Sequence, residues 1–404
     1  MTAPTLRAEH ERYARVESMR LGGVPVAAEW IRYGEDAPTA PAPEIVATYG
    51  LLELEYAAFR RGAAVMDRPD RATIRVTGAQ RVEFLNRMVT QELKGMSAGA
   101  VRSAFWLNRK GRIDADLLLC EVPDAQFMLI DVDVHDAART VKSLEEFIFG
   151  EDVQVVDDAA AWARLSVHGP GGTALLQEAG ANTDALRALG VDRSCVQLQL
   201  VGADVVVARR DQCAGPGLEL WVPMAHAAAV WDALVSQHDQ AEAGRRRARP
   251  AGWYAYNIAR IEGGTPLFRI DFGVDNLPHE TGVLRERVSF QKGCYLGQEV
   301  VARMESLGHP KQRLVALRTE QDLLPTAGSP VFERAADGEP GNPVGAITSS
   351  ALSPMLGAAP IAFAMVKYAH SDAGATLVAP AEGGRTAVTV QPTLVFVPQP
   401  EGTA

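Results

Sequence analysis

Six short apolar stretches, each bounded by glycine or proline, fill the end of this chain: residues 314–317, 330–332, 344–348, 361–366, 377–378 and 386–391. They are too short for helices and are broken at close intervals by turn formers. That pattern specifies a small antiparallel barrel or sandwich. The part before residue 310 is different. Strands and helices mix there without the strict alternation that a parallel doubly wound sheet needs. The expected fold class is therefore α+β, with antiparallel sheets flanked by helices and a C-terminal small β-barrel. At 404 residues the chain is too long for one ordinary core, so two or three domains are expected.

Residues 53–61 carry helical periodicity and stop at Gly62. Residues 73–78 alternate as a strand, and 79–93 place Val82, Leu85, Met88 and Val89 on one helical face. A strand at 103–107, the polar turn Asn108-Arg109-Lys110-Gly111 and a strand at 113–119 read as a hairpin. Further strands are expected at 126–132, 154–156, 163–168, 203–208 and 218–222, with helices at 136–149, 226–237 and 254–261. The proline-rich stretch 36–43 reads as a stiff connector. Four segments result: an N-terminal extension (1–50), an α+β region of two intertwined domains (51–250, continuing to about 308), a helix-and-motif segment (251–308) and the barrel (309–404).

Charge and cysteine usage narrow the function classes. A net charge of −10 argues against a duplex nucleic-acid partner. The Arg245-Arg246-Arg247 run, with Arg249 after it, reads as a solvated linker or a local basic patch. Cys120, Cys195, Cys213 and Cys294 form no CxxC pair, so neither a structural zinc site nor a disulfide framework is expected. A reducing, cytoplasmic setting fits. No apolar run has the length of a membrane span, and no apolar signal core follows the early charges.

The densest chemistry lies in Lys292-Gly293-Cys294-Tyr295-Leu296-Gly297-Gln298-Glu299, followed by Val300-Val301-Ala302-Arg303. A thiol two residues after a lysine is a candidate for a lowered pKa, and the thiolate is the reactive form. The glycines permit positive-φ backbone, and Gln298-Glu299 reads as a first helical turn. A buried inert thiol is the competing reading of Cys294. One cysteine cannot hold an iron–sulfur cluster alone, and His168 and His309 have no partner at ligand spacing, so no metal site is expected.

Asp114 and Asp116, at i and i+2 on a strand, share one face. They either keep a hairpin mouth soluble or aim a carboxylate into a cleft. Glu262, beside Arg260 at a helix end closed by Gly263-Gly264, is electrostatically disfavoured there and needs a partner. A neighbouring arginine or a heterocycle with paired N–H donors would serve. Gly169-Pro170-Gly171-Gly172 reads as a tight strand-to-helix turn, or as an anion seat lacking the lysine of a P-loop.

Taken in order, several pieces resemble the folate-binding T-protein superfamily: Arg61-Gly62-Ala63-Ala64-Val65-Met66-Asp67, Asn108 to Gly111, Asp116-Leu117, His168-Gly169-Pro170, Arg260-Ile261-Glu262 and Val344-Gly345-Ala346-Ile347-Thr348-Ser349. Within it, the run from Lys292 to Glu299 looks like the signature of the YgfZ branch. The resemblance implies tetrahydrofolate in a central channel between three domains. It also implies support of iron–sulfur proteins, including an enzyme that thiolates tRNA. Glu262 and Asp116 would then hold the folate, with Arg260, Tyr295, Gln298 and Glu299 nearby. Cys294 would do the thiol or cluster-linked work, tuned by Lys292. Iron–sulfur proteins or their assembly factors would be partners.

Asp116 also matches the T-protein's catalytic aspartate, which keeps a folate-dependent aminomethyl- or methyltransferase open as the alternative. A non-catalytic interaction protein is the third reading. One departure stands out: the T-protein's Gly-Tyr-Thr-Gly-Glu stretch is replaced here by Asp211-Gln212-Cys213-Ala214-Gly215.

Overall fold

The computed structural model describes residues 6–36, 41–190, 193–235 and 248–398. Helix α1 (Arg7–Arg20) is followed by the paired strands β1 (Glu29–Arg32) and β2 (Glu44–Thr48), then α2 (Leu52–Arg61) and β3 (Ala63–Asp67). Next come β4 (Arg71–Thr77), α3 (Arg81–Met88), β5 (Val101–Leu107), β6 (Ile113–Glu121), β7 (Phe127–Asp133), α4 (Ala137–Glu145) and β8 (Gln154–Asp157). The chain continues through β9 (Trp162–His168), α5 (Gly172–Glu178), α6 (Thr183–Arg187), β10 (Cys195–Leu200), β11 (Ala203–Arg209), β12 (Gly217–Pro223), α7 (Ala227–Val235), β13 (Ala248–Pro250) and α8 (Trp253–Glu262). Helices α9 (Leu284–Arg287) and α10 (Gln298–Leu307) lead to β14 (Gln312–Thr319), β15 (Pro330–Arg334), β16 (Pro340–Ser353), β17 (Ala359–Lys367), β18 (Thr376–Ala381) and β19 (Gly384–Val390).

These strands form a six-stranded sheet ordered β10-β11-β12-β9-β3-β13, a five-stranded sheet ordered β5-β6-β7-β4-β8, and a closed barrel ordered β14-β17-β16-β15-β18-β19. The α+β class and the C-terminal barrel are as the sequence implies. Among the described strands, β13 departs from an all-antiparallel arrangement by running parallel to β3.

The two open sheets face each other. Leu118 and Cys120 of β6 and Leu129 of β7 meet Cys195, Val206, Ala208 and Trp221 of the other sheet in a shared core. On the opposite face of β6, Leu117 and Leu119 pack with Phe84 and Leu85 of α3 and Leu144 of α4. The outer face of the six-stranded sheet is covered by α1, α5 and α7. A strand buried on both sides explains the unbroken Leu117-Leu118-Leu119-Cys120 run.

Helix α8 is held at both ends. At its start, the fully buried Glu55 accepts hydrogen bonds from Gly252 N (2.9 Å), Tyr49 N (2.8 Å) and Thr48 Oγ1 (2.8 Å). One carboxylate thereby serves the N-terminal regions of α2 and α8, where negative charge is favoured. At its end, α8 packs Ile261 against Leu314, Ile361 and Phe363 of the barrel.

Several elements differ from the periodicity. Helix α3 ends at Met88 instead of reaching 93, because Val89 is extended (φ −92°, ψ 163°) and Thr90 Oγ1 donates to the Arg287 carbonyl at 2.6 Å. Helix α4 stops at Glu145 rather than 149. Helix α1 is invisible to an apolar count because its buried face is His10, Tyr13, Ala14 and Glu17, which have helical spacing but largely polar chemistry. The turn at Gly169 is the tight one: φ is +108° and a Cβ there would lie 2.5 Å from the Gly62 carbonyl oxygen. Arg249 is no solvated linker residue, since it donates to buried Glu17 at 3.0 Å. Arg245, Arg246 and Arg247 lie outside the described residues, as does part of the proline-rich connector. Among the described residues, no helix is long and apolar enough to cross a membrane.

Candidate active site

The alternation that builds the inter-sheet core also ends it. Even-numbered residues of β6 face the other sheet: Leu118 and Cys120 are apolar and close the core, whereas Asp116, two residues earlier, opens it to a polar cleft. Odd-numbered residues do the same on β7, where Leu129 belongs to the core and Asp131 to the cleft. On β12 the pair is Trp221 and Glu219. The cleft is thus the polar continuation of the space between the sheets. Trp253 and Tyr256 of α8, with Leu267 and Phe268 beyond it, form an aromatic wall. Tyr33, from the N-terminal extension, stands on the other side and donates to Asp133 Oδ2 at 2.5 Å.

Most charges in the cleft are matched. Arg68 grips Asp70 through two hydrogen bonds of 2.9 and 2.7 Å. Arg71 grips Asp131 through Nε (3.2 Å) and Nη2 (2.6 Å), and Arg164 adds a third contact at 3.1 Å. Burial alone would raise the Asp131 carboxyl, but Arg71 and Arg164 outweigh it and hold it well below the usual carboxylate range. Behind the wall, His168 is pushed down to about 3 by burial and by the Arg68 and Arg210 charges, so it is neutral.

Among the acids of the cleft, Asp116 and Glu219 each keep one oxygen free of hydrogen bonds among the described residues, Glu219 being held through Oε2 by Arg164 at 3.4 Å. Arg287 Nε donates to Asp116 Oδ1 at 3.0 Å, and Asp116 Oδ2 accepts no hydrogen bond among the described residues. The Asp116 carboxylate is held at one oxygen and open at the other, inside a cleft with an aromatic wall. Such an arrangement suits an acceptor for a ligand N–H.

Residues 44–292 match the family model described as the GCVT N-terminal domain, and residues 312–396 match the glycine cleavage T-protein C-terminal barrel domain. The chain belongs to the glycine cleavage T-protein family. An aminomethyltransferase of Streptomyces coelicolor is 30% identical over 330 residues, covering 81% of this chain and 84% of its own length. One from Corynebacterium jeikeium is 27% identical over 350 residues, covering 83% and 86%. The crystal structure of the glycine cleavage system aminomethyltransferase T of Bartonella henselae shares the fold, with a TM-score of 0.77 at 22% identity over 93% of this chain and 96% of that one.

In this T-protein family member the site candidates separate into two groups. Asp116 lines the cleft. Glu262 does not, and it has no open oxygen. Oε2 accepts from Tyr56 Oη at 2.6 Å and from Arg60, while Oε1 accepts from Ser353 Oγ and Met355 N. The carboxylate at the helix end thus found its arginine inside the protein. Arg260 is equally occupied: it donates to Asp271 Oδ2 and Ser349 Oγ, both at 2.6 Å, and to the Thr265 carbonyl at 3.2 Å. Both residues fasten α8 to the barrel.

The run from Lys292 to Glu299 braces the hairpin below Asp116. Lys292 points away from a thiol-tuning role. Its Nζ donates to the carbonyls of Asn86 (2.6 Å), Val89 (2.6 Å) and Gln91 (2.8 Å), the acceptors left at the end of α3. Burial pushes this ammonium down to about 8, so it keeps its proton at neutral pH. Tyr295 is buried with Phe105, Leu107 and Ile113. Gly297, at φ +79°, approaches so closely that a Cβ would lie 2.7 Å from the Asn108 carbonyl oxygen, and Val300 fills the space beside Gly111. Gln298 and Glu299 begin α10 and lie outside the cleft lining. Cys294 is exposed and also outside that lining. Lys292→Met is expected to cost about 2 kcal/mol by stranding three carbonyls. A thermal melt equal to wild type would show that the carbonyls find other donors.

His309 stacks on Tyr368 at 4.3 Å, and among the described residues no cluster of His, Cys, Asp and Glu is arranged to hold a metal. Sequence reasoning missed Tyr33, Arg68, Arg71, Arg210 and Tyr256. Arg71 carried a usable signal, standing on the same strand parity as Thr73 and Arg75, opposite the apolar Ala72, Ile74 and Val76.

Proposed function

We propose that this protein is a tetrahydrofolate-dependent one-carbon transferase, of the aminomethyltransferase type, acting in the cleft at Asp116. The observation that carries the reading is the open Asp116 Oδ2 in a cleft with an aromatic wall. Relatives named aminomethyltransferase, aligned over most of the chain, support it. The chemistry of the lining suits the cofactor. Trp253, Tyr256 and Phe268 give the lining an aromatic side against which a heterocycle would pack. Asp116 offers an acceptor, and Arg210 a cation.

Tetrahydrofolate supplies the nitrogen that receives the one-carbon unit. The chain's own residues position and shield it. Arg287 fixes Asp116 through Oδ1, so Oδ2 can accept an N–H or take up the proton released there. The aromatic wall and the closed inter-sheet core behind it limit water. Purified protein given tetrahydrofolate and an aminomethyl or N-methyl donor should form methylene- or methyl-tetrahydrofolate. No product above background would remove the reading.

A second reading rests on a different observation. Cys120, Cys195 and Cys213 are buried, and Cys294 alone among the four cysteines is exposed. That exposure supports a thiol role of the YgfZ type, with iron–sulfur proteins or their assembly factors as partners. Cys294→Ser, expressed in cells lacking the endogenous protein, should then fail to restore iron–sulfur enzyme activity. Full restoration would take the thiol out of the mechanism.

A further inference from the structure

Among the described residues, Arg210 is the most weakly paired cation lining the cleft. It follows β11, where its N–H donates to the Gly217 carbonyl at 2.9 Å. Its own carbonyl sits so close that a Cβ on Gly217 would lie 2.3 Å away, which fixes the backbone from which the side chain springs. The side chain is 18% exposed and lines the cleft. Among the described residues, the one acid within ion-pair range is Asp131, at 4.0 Å, and the side chain makes no hydrogen bond. Asp131 is already saturated by Arg71 and Arg164. Arg68 has Asp70, and Arg287 has Asp116.

A largely buried guanidinium without an acceptor is costly, and an arriving anion would relieve that cost. Arg210 brings a single positive charge into a lining that also holds Asp116, Asp131 and Glu219, which suits a carboxylate better than a doubly charged phosphate. The planar fork of arginine also matches a carboxylate in two-point contact. We propose that Arg210 binds a carboxylate of the molecule that occupies the cleft. This rests on the folate-transferase reading for the identity of that molecule, and leaves two sources of the same chemistry. One is the glutamate tail of the cofactor. The other is the carboxylate of a small amino-acid donor of the one-carbon unit.

Titration calorimetry on the full chain separates them. Three probes are used: 4-aminobenzoylglutamate, which has carboxylates and no pterin; a tetrahydropterin without carboxylates; and N-methylglycine. Arg210→Gln should weaken a carboxylate probe by about 10- to 100-fold and leave the tetrahydropterin unchanged. A loss confined to 4-aminobenzoylglutamate assigns the cofactor tail, and one confined to N-methylglycine assigns the donor. The amide analogue of the bound probe should not bind wild-type protein, a control that needs no variant. Unchanged affinity of Arg210→Gln for both carboxylates, or equal binding of the amide analogue, overturns the proposal. Wild-type binding of neither carboxylate overturns it too. Tetrahydropterin binding with no Arg210 effect leaves the folate reading standing. Arg210-dependent carboxylate binding without tetrahydropterin binding removes the folate reading alone.

Discussion

Glu262→Ala is expected to destabilise the protein by about 3–5 kcal/mol, the range for removing one partner of a buried ion pair. Glu262 is fully buried, and Arg60, its partner, is 11% exposed. The change would leave the Arg60 guanidinium, the Tyr56 hydroxyl and the Ser353 hydroxyl without their acceptor. Because Ser353 ends a barrel strand, the damage should appear first as loosening of the barrel. A drop in melting temperature with early proteolytic release of residues 312–396 is the expected pair of readouts. Glu262→Gln keeps the shape and should cost less. Loss of folate binding in Glu262→Ala is therefore ambiguous unless the melt is measured beside it. A native melt combined with lost folate affinity would reverse the assignment and return Glu262 to the ligand.

Asp116→Asn should lower the rate of one-carbon transfer by about a hundred- to ten-thousandfold, the usual contribution of a positioned acid or base. Asparagine retains an oxygen for Arg287 Nε, so the fold should survive. Alanine is the poorer test, since it strands a guanidinium that is only 4% exposed. The informative measurement is the split between turnover and folate affinity. A residue that only holds the cofactor raises the dissociation constant with little change in kcat, whereas a proton acceptor lowers kcat. A rate within about threefold of wild type would exclude Asp116 from the chemistry.

The two residues show how far the sequence could be read. Asp116 was legible only in part: parity puts the acids at i and i+2 on one face, but it leaves a solvated hairpin mouth and a cleft equally open, and the family resemblance singles out Asp116. Glu262 was half legible. Its position at a helix end demanded a partner, but Arg60 lies 202 residues away, and no local pattern chooses between it and a heterocycle. Lys292 was misread for the same reason. Its neighbour in sequence is a thiol, while its hydrogen-bond partners are carbonyls about 200 residues earlier. The barrel was plain because its strands are separated by turn formers, a signal that needs no tertiary knowledge. Helix α1 was hidden because polar side chains make its buried face.

The pairing of Asp116 with Arg287 joins positions 171 residues apart, and Lys292 reaches back 206 residues to Asn86. On a chain growing from its N-terminus, strand β6 and helix α3 emerge long before either cation exists. Until residues 287 and 292 have been made, the carboxylate lacks its guanidinium and the helix lacks its cap. The candidate site is therefore completed well after the hairpin that carries Asp116, when distant sequence closes onto strands already made and before the barrel strands follow.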